Sequence, residues 1–249
     1  MDFITAILLF SGGLFSGIIN TIVGGGSLLS VPLLLSLGLQ PHLAIGTNRF
    51  AMVFNTGMGA IDYHKRVKYG IKLALFLSVF ASIGSFLGAN IVLQIDENIL
   101  KIIIGILMLI MVGITIYKKN FGLEERTITL TTKSYISIAV ISFLLGIYGG
   151  FFGAGISTMF TFMFVSYFGT SFIKSAGITR FIVAILSMIA SLIFLINLKI
   201  DFLFGIILAI SFILGAKIGV KMAVKAGNIW IRRLFIILAV TSSINLFLF

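Results

Sequence analysis

Two stretches decide the fold: GTNRF at Gly46–Phe50 and GITRF at Gly177–Phe181, each set within a long apolar run. At an offset of 131 residues Arg49 falls on Arg180, Phe50 on Phe181, Lys68 on Lys199, Gly84 on Gly215, Gly88 on Gly219 and Lys101 on Arg232. The chain therefore reads as one unit written twice, with an arginine at the same place inside an apolar helix of each copy. A charge within a bilayer costs at least about 2.5–3.5 kcal/mol on insertion scales, so such a residue faces a cavity, a partner or a substrate. Two of them at equivalent positions of a repeat point to a polar site shared by the two halves of a membrane protein.

Composition agrees. The chain has 249 residues, of which 59% are hydrophobic and only 10% charged, whereas a soluble domain carries about 25% charge. Apolar runs recur from end to end, and about 20 such residues cross the ~30 Å hydrocarbon layer. The short alternating segments of a membrane β-barrel are missing. There is no cysteine, which excludes disulfides and thiolate metal sites. No amino-terminal targeting peptide is expected, because Asp2 precedes the first apolar run and no basic region does. The net charge of +11 reads as basic loops at one membrane face rather than as a nucleic-acid surface.

Five apolar segments are expected per copy: 3–22, 27–39, 43–63, 71–93 and 99–117, then 134–152, 156–169, 173–196, 202–223 and 229–249. The polar stretch 118–133 separates the copies. The expected organisation is a first membrane repeat at 1–117, a cytoplasmic linker at 118–133 and a second membrane repeat at 134–249. The second segment of each copy is short and follows a glycine cluster, Gly24, Gly25 and Gly26 in one and Gly153 and Gly155 in the other. These clusters align at an offset of 129, so a two-residue length change precedes the arginine helix. Pro32 further weakens helix continuity. The first two segments of each copy are thus two short helices or a re-entrant hairpin.

Charge placement selects an orientation. If the first two segments together cross an even number of times, the copies are inverted. Fourteen of the 18 basic residues then share one side: Lys65, Arg66, Lys68, Lys72, Lys118, Lys119, Arg126, Lys133, Lys174, Lys217, Lys221, Lys225, Arg232 and Arg233. Only Lys101 and Lys199 fall opposite, and Arg49 and Arg180 lie within. Parallel copies would split the basic residues nine against seven. The positive-inside rule favours inversion, with basic loops cytoplasmic and both termini outside. The fold class is therefore an all-α polytopic membrane protein of two inverted-topology repeats, with broken or re-entrant helices at the glycine turns.

Arg49 and Arg180 lead the candidate site. Inversion sets Arg49 nearer the outside and Arg180 nearer the inside, so they bracket the midplane. Either they contact an anion, or they snorkel and hold the bundle by pairing with carbonyls. Seven residues beyond them lie Thr56 and Ser187, and Asn48 with Asn55 forms a neighbouring row. Such rows line a water-filled path or simply join helices. The turns Gly24-Gly25-Gly26-Ser27 and Gly153-Ala154-Gly155-Ile156-Ser157 open helices, where backbone N–H groups and the helix dipole suit a small anion. A dinucleotide-binding reading fails for want of the flanking strands. The pairs Gly84-x-x-x-Gly88 and Gly215-x-x-x-Gly219 read as packing surfaces. Asp62 and His64 end the third segment, as a solvated loop end or a proton-sensing pair. Trp230 fits an interfacial anchor.

The stretch GGGSLLSVPLL (Gly24–Leu34), the following LGLQPHLAIGTNRF (Leu37–Phe50) and the second copy together resemble the sulfite exporter TauE/SafE family over essentially the whole chain. The resemblance implies an integral membrane permease for sulfite or organosulfur anions such as sulfoacetate. It implies that the turn Gly24–Ser27 and the pair Thr47-Asn48 line the site. The second copy departs from this pattern: Ile178 and Thr179 replace Thr47 and Asn48, and no proline answers Pro32. One asymmetric site between the halves is expected rather than two identical ones.

The expected function is secondary transport, as an exporter, of a small sulfur-containing anion by alternating access. Arg49, Arg180 and the turns at Gly24, Gly25, Gly26, Gly153 and Gly155 would supply positive potential. Asn48, Thr47, Ser27, Thr179 and Ser157 would supply hydrogen bonds. An anion channel built on the same arginines and a non-transporting membrane scaffold are the alternatives. No nucleophile motif, metal-ligand cluster or phosphate-binding loop stands in the sequence, so neither enzymatic activity nor a cofactor is expected. The expected partners are the anion, a coupling proton or cation, and the lipid bilayer of the cell membrane.

Overall fold

The chain runs almost wholly as helices. A computed structural model describes residues 2–67, 69–104, 106–107 and 132–248. In chain order the helices are α1 (Phe3–Val23), α2 (Ser27–Ser36), α3 (Pro41–Val67), α4 (Ile71–Leu93), a helical segment α5 at 97–104, α6 (Thr132–Phe151), α7 (Ile156–Phe168), α8 (Phe172–Ile196) and α9 (Phe202–Leu248). Five of them contain stretches long and apolar enough to cross a bilayer: Phe3–Ile22, Ile71–Leu93, Ser134–Phe151, Phe172–Ile196 and Phe202–Lys225. The described residues contain no strand.

Local chemistry sets the boundaries. The Asp2 carboxylate accepts from the Thr5 N–H at 3.1 Å and caps α1. These bonds hold the Asp2 carboxyl below its usual range. At the other end Gly24 and Gly25 take φ of +88° and +95°, which stops α1 and reverses the chain. Pro32 sits inside α2 and removes one ladder hydrogen bond, in keeping with a helix of only 10 residues, about 15 Å. Pro41 opens α3 with its φ already set. Gly155 and Gly169, both left-handed, bound the 13-residue α7.

The surface is inverted relative to a soluble protein. Ile7, Phe15, Leu75, Val79, Ile83, Phe86, Ile136, Val140, Leu192 and Ile206 are exposed, whereas Asn20, Asn48, Asn55, Thr47, Thr56, Arg49 and Arg180 are buried. Apolar groups face outward because the surroundings are hydrocarbon, and polar groups gather where they can satisfy one another. The protein is thus a multi-pass membrane protein.

The helix directions follow from residue contacts. A Cβ on Gly46 would meet Phe194 and the Lys199 carbonyl, one on Gly59 would meet Arg180, and one on Gly177 would meet Tyr63 and Tyr69. Rising numbers on α3 meet falling numbers on α8, so these two arginine helices run antiparallel. By the same test α1 runs parallel to α9 and α4 parallel to α6, because Gly215 meets Leu14 and Gly219 meets Ile18 while Gly84 meets Phe143 and Gly88 meets Ile147. Asn55 donates to the Phe212 carbonyl and Thr47 accepts from the Asp201 N–H, which sets α3 parallel to α9 as well. Both α1 and α3 therefore descend in the same sense, and the short α2 returns the chain part of the way between them.

The close approaches are backbone to backbone. A Cβ at Gly84 would lie 2.1 Å from the Phe143 carbonyl oxygen and 2.7 Å from the Ile147 nitrogen. At Gly215 it would lie 2.7 Å from the Leu14 carbonyl oxygen and 2.8 Å from the Ile18 nitrogen. Leu14 and Ile18 are the residues that the offset of 129 places on Phe143 and Ile147. Equivalent glycines thus meet equivalent atoms, and α4–α6 and α1–α9 are packed alike.

Two expectations change. The separate segments at 202–223 and 229–249 are one 47-residue helix, α9; the run AVKAGN at 223–228 holds no proline and only one glycine to break it. A chain reversal between 223 and 229, on which an outside carboxyl terminus rested, is not there. The arginine helices also start earlier than 43 and 173, at Pro41 and Phe172. The linker at 118–131, the part of the fifth segment beyond 107, Lys68 and the side chains of Trp230, Arg232 and Arg233 lie outside the described residues.

Substituting Gly88 tests the packing. A Cβ there would lie 2.0 Å from the Ile147 carbonyl oxygen, so Gly88→Leu must push α4 from α6. It should destabilise the protein by at least about 1–3 kcal/mol, read as a lowered melting temperature in detergent. Gly57, with nothing within 4 Å of its Cβ position, should accept Ala with no loss. A Gly88→Leu melt equal to wild type would contradict the packing.

Candidate functional site

The sequence places two glycine turns deep in the bundle, and the fold sets them side by side. A Cβ on Gly24 would lie 2.8 Å from the Thr158 nitrogen and 2.9 Å from Ser157 Cβ. The tip of the α1–α2 hairpin therefore touches the first turn of α7. All six residues Gly24–Gly26 and Gly153–Gly155 are buried.

A polar lattice holds the first tip. The Asn20 Oδ1 accepts from the Gly26 N–H at 3.2 Å, and its Nδ2 donates to Asn55 Oδ1 at 2.7 Å. Asn55 Nδ2 in turn donates to the Gly17 and Phe212 carbonyls at 3.1 and 2.9 Å. Ser16 donates to the Gly26 carbonyl at 2.6 Å. Asn48 donates to Ser27 Oγ at 3.0 Å and accepts from Ser30 Oγ at 2.6 Å. Each polar atom named here gains a partner that hydrocarbon would deny it.

The second tip is held differently. The Gly153 N–H donates to the Tyr148 carbonyl at 2.9 Å, and the Tyr148 hydroxyl donates to the Ala154 carbonyl at 2.6 Å. Gly153 and Gly155 adopt φ of +64° and +74°. The Arg49 guanidinium lies on Gly153 so closely that a Cβ there would overlap its Nη2. Only glycine admits that approach. Arg49 is fully buried, and Nε, Nη1 and Nη2 have no hydrogen-bond partner among the described residues.

Arg180 occupies the equivalent place in the sequence and a different one chemically. It too is buried, at 1% exposure; its Nη2 donates to the Asn20 carbonyl, while Nε and Nη1, like the Arg49 nitrogens, have no partner among the described residues. Its aliphatic stem runs beside Gly59, where a Cβ would lie 3.4 Å from Arg180 Cδ. Gly59 is ten residues beyond Arg49 on α3, an offset of about 15 Å along the helix. The two arginines bracket the bundle's middle and do not meet. Each reaches the hairpin of the other half: Arg49 the α6–α7 turn, and Arg180 the end of α1.

The remaining candidates divide. Asn48 and Ser27 come together, and Ser157 faces Gly24. Thr47 turns away, its hydroxyl accepting from the Asp201 N–H at 2.9 Å where α9 begins. Thr179 lies 3.4 Å from the Thr161 hydroxyl, and Thr161 donates to the Ser157 carbonyl at 2.8 Å. Ser187 Oγ is buried without a partner among the described residues, whereas Thr56 donates to the Met52 carbonyl of its own helix. His64 stacks edge-on against Tyr69, ring centroids 4.8 Å apart. Asn20 went unread in the sequence, although an asparagine within an apolar helix is itself a signal. Tyr63 and Tyr148, which bond the Thr21 and Ala154 carbonyls, carried no such signal.

A guanidinium presents planar paired donors that match an oxyanion. The opening turn of α7, whose Gly153, Ile156 and Thr158 N–H groups are bonded within the α6–α7 turn, adds the positive end of a helix dipole. Together they bring positive character to the buried contact between two hairpin tips.

Comparison with known proteins places this architecture. Residues 9–246 match the family described as sulfite exporter TauE/SafE. A Sinorhizobium protein named "Probable membrane transporter protein ORF9" is 27% identical over 242 residues, 96% of this chain and 90% of that one. A Haemophilus influenzae protein named "Probable membrane transporter protein" is 27% identical over 233 residues, 93% of this chain and 90% of its own. The Escherichia coli "Probable membrane transporter protein YfcA" is 24% identical over 239 residues, 96% and 88% of the two chains. No solved structure matches the chain. With the family model spanning nearly every residue, from α1 to the end of α9, the chain belongs to the TauE/SafE family of membrane transporters.

Proposed function

We propose that the protein is a secondary transporter that exports a small oxyanion, sulfite or an organosulfur anion, across the cell membrane by alternating access. The observation that carries this reading is Arg49, a fully buried guanidinium with no hydrogen-bond partner among the described residues, laid on the glycine turn that opens α7. An uncompensated charge in a low-dielectric interior costs several kcal/mol. A substrate anion that binds there offsets that cost and gives the site its sign selectivity. The opening of α7 supplies helix-dipole potential and the Ser157 hydroxyl, and Asn48 and Ser27 supply polar contacts at the facing tip.

Arg180 has a second role, which supports one asymmetric site. Its bond to the Asn20 carbonyl ties the second half to the first. The halves at 1–117 and 134–249 are inverted copies joined by a linker at 118–133. The antiparallel course of α3 and α8 and the matched glycine contacts of Gly84 and Gly215 support that reading. Rocking one half against the other would expose the hairpin tips first to one side and then to the other. A proton or cation gradient drives the cycle, and the basic loops face the cytoplasm.

Flux measurements test the site. In proteoliposomes the wild-type protein should take up radiolabelled sulfite saturably and uphill when a gradient is imposed; a channel would only equilibrate it. Arg49→Ala should lower uptake about 10–100-fold, the loss of one charge-assisted contact of about 1.5–3 kcal/mol, with unchanged insertion. Arg180→Ala should lower uptake together with melting temperature. Undiminished uptake by Arg49→Ala would sink the site assignment.

Orientation is tested on the cysteine-free background. Single cysteines at Asn98 and Asn197, exposed where α5 begins and α8 ends, should react with an impermeant thiol reagent added outside intact cells. Cysteines replacing Arg66 or Lys225 should react only after the membrane is opened. The reverse pattern would overturn the orientation.

A further inference from the structure

One stripe of α9 faces away from the other described helices. Leu203, Ile206, Ile210, Leu214, Ile218 and Met222 along it are 41–53% exposed. Gly215, Ala216, Gly219, Val220 and Ala223 turn inward to the bundle. From its sixteenth residue the outward stripe also carries Lys217, Lys221 and Lys225, all exposed. Their spacing of four residues stacks them on one face, about 6 Å apart along the axis.

Depth makes the row unusual. Counted from Phe202, the helix has covered about 30 Å of hydrocarbon by Met222. Lys217 and Lys221 therefore leave the helix inside the last part of the apolar layer and reach the headgroups along their own methylene stems. Ile218 and Met222 alternate with them and stay in contact with acyl chains. Among the described residues no ion pair joins Lys217, Lys221 or Lys225 to a carboxylate.

Packing does not require the charges. The counterparts on α4, 131 residues earlier, are Phe86, Asn90 and Gln94. Helix α4 makes the same glycine contacts with its neighbour as α9 does with α1, and it does so with no cation at those positions. A preference for cationic loops is satisfied by lysine anywhere beyond the helix. It does not call for three lysines in register on a lipid-facing stripe.

We propose that Lys217, Lys221 and Lys225 form a binding strip for an anionic phospholipid. Its phosphate is held by the ammonium groups, and an acyl chain lies along Ile210, Leu214 and Ile218. Charge complementarity and depth together select this occupant: the headgroup phosphate is the anion that sits at this level outside the chain.

The test uses the full-length protein in a neutral detergent, melted with added phosphatidylglycerol or phosphatidylcholine. Phosphatidylglycerol should raise the melting temperature by several degrees more than phosphatidylcholine, and 0.5 M salt, which shortens the Debye length to about 4 Å, should shrink the difference. The combined variant K217Q, K221Q and K225Q should melt as wild type in phosphatidylcholine and lose the added response. The single variants should lose it in part, which keeps the test decisive if the triple variant folds poorly. A control losing three cations elsewhere, K65Q, R66Q and K72Q, should keep the response. Three outcomes would overturn the proposal: an equal response in the K217Q, K221Q and K225Q variant, an equal loss in the control, or the same stabilisation by millimolar inorganic phosphate.

Discussion

The structure depends on where two guanidinium groups can sit in a medium that will not solvate them. Hydrocarbon offers no hydrogen bonds, so each buried cation must find its partners inside the bundle. Arg49 and Arg180 begin from equivalent positions on antiparallel helices and find different surroundings. Arg180 meets the carbonyl at the end of α1. Arg49 meets a glycine turn whose carbonyls are directed elsewhere, that of Ala154 to Tyr148. Arg180 has one of its three guanidinium nitrogens paired and Arg49 none among the described residues, so the two arginines differ by one hydrogen bond and by the segment each one reaches.

Glycine makes the arrangement possible at both scales. At the helix interfaces it lets backbones touch, so that α4 with α6 and α1 with α9 are packed at distances no side chain allows. At the hairpin tips positive φ reverses the chain inside the membrane, and at Gly153 the missing Cβ gives Arg49 its seat. The polar lattice of Asn20, Asn55 and Asn48 then fixes the first tip, leaving the second tip beside the unpaired charge. Membrane helices associate without a hydrophobic drive, so such contacts and hydrogen bonds carry the specificity.

Much of this is legible in the residues. The repeated arginine, the glycine clusters and the apolar run lengths lead directly to α1–α4 and α6–α8, because hydropathy and glycine act locally. The separation of the two arginines along α3 is also legible, since it follows from segment order alone. The partner of each arginine is not, because Asn20 is 160 residues from Arg180 and only the crossing of the halves joins them. Thr47 shows the same gap: its neighbour Asn48 faces the first tip while Thr47, a hundred degrees round the helix, caps the start of α9. The continuous α9 was hidden by the single glycine and polar residues at 225–228, which mimic a turn in composition but lack proline.

The central claim is that the Arg49 guanidinium and the opening turn of α7 hold an oxyanion. The most direct measurement is an anomalous difference map from crystals of the protein grown with selenite, which has the shape and charge of sulfite and a scatterer at its centre. The account predicts a peak within about 4 Å of the Arg49 nitrogens, hydrogen-bond reach plus one bond length, facing the backbone at 153–156 and absent in Arg49→Ala. A peak at Arg180 alone, or full selenite occupancy elsewhere with none at Arg49, would contradict it.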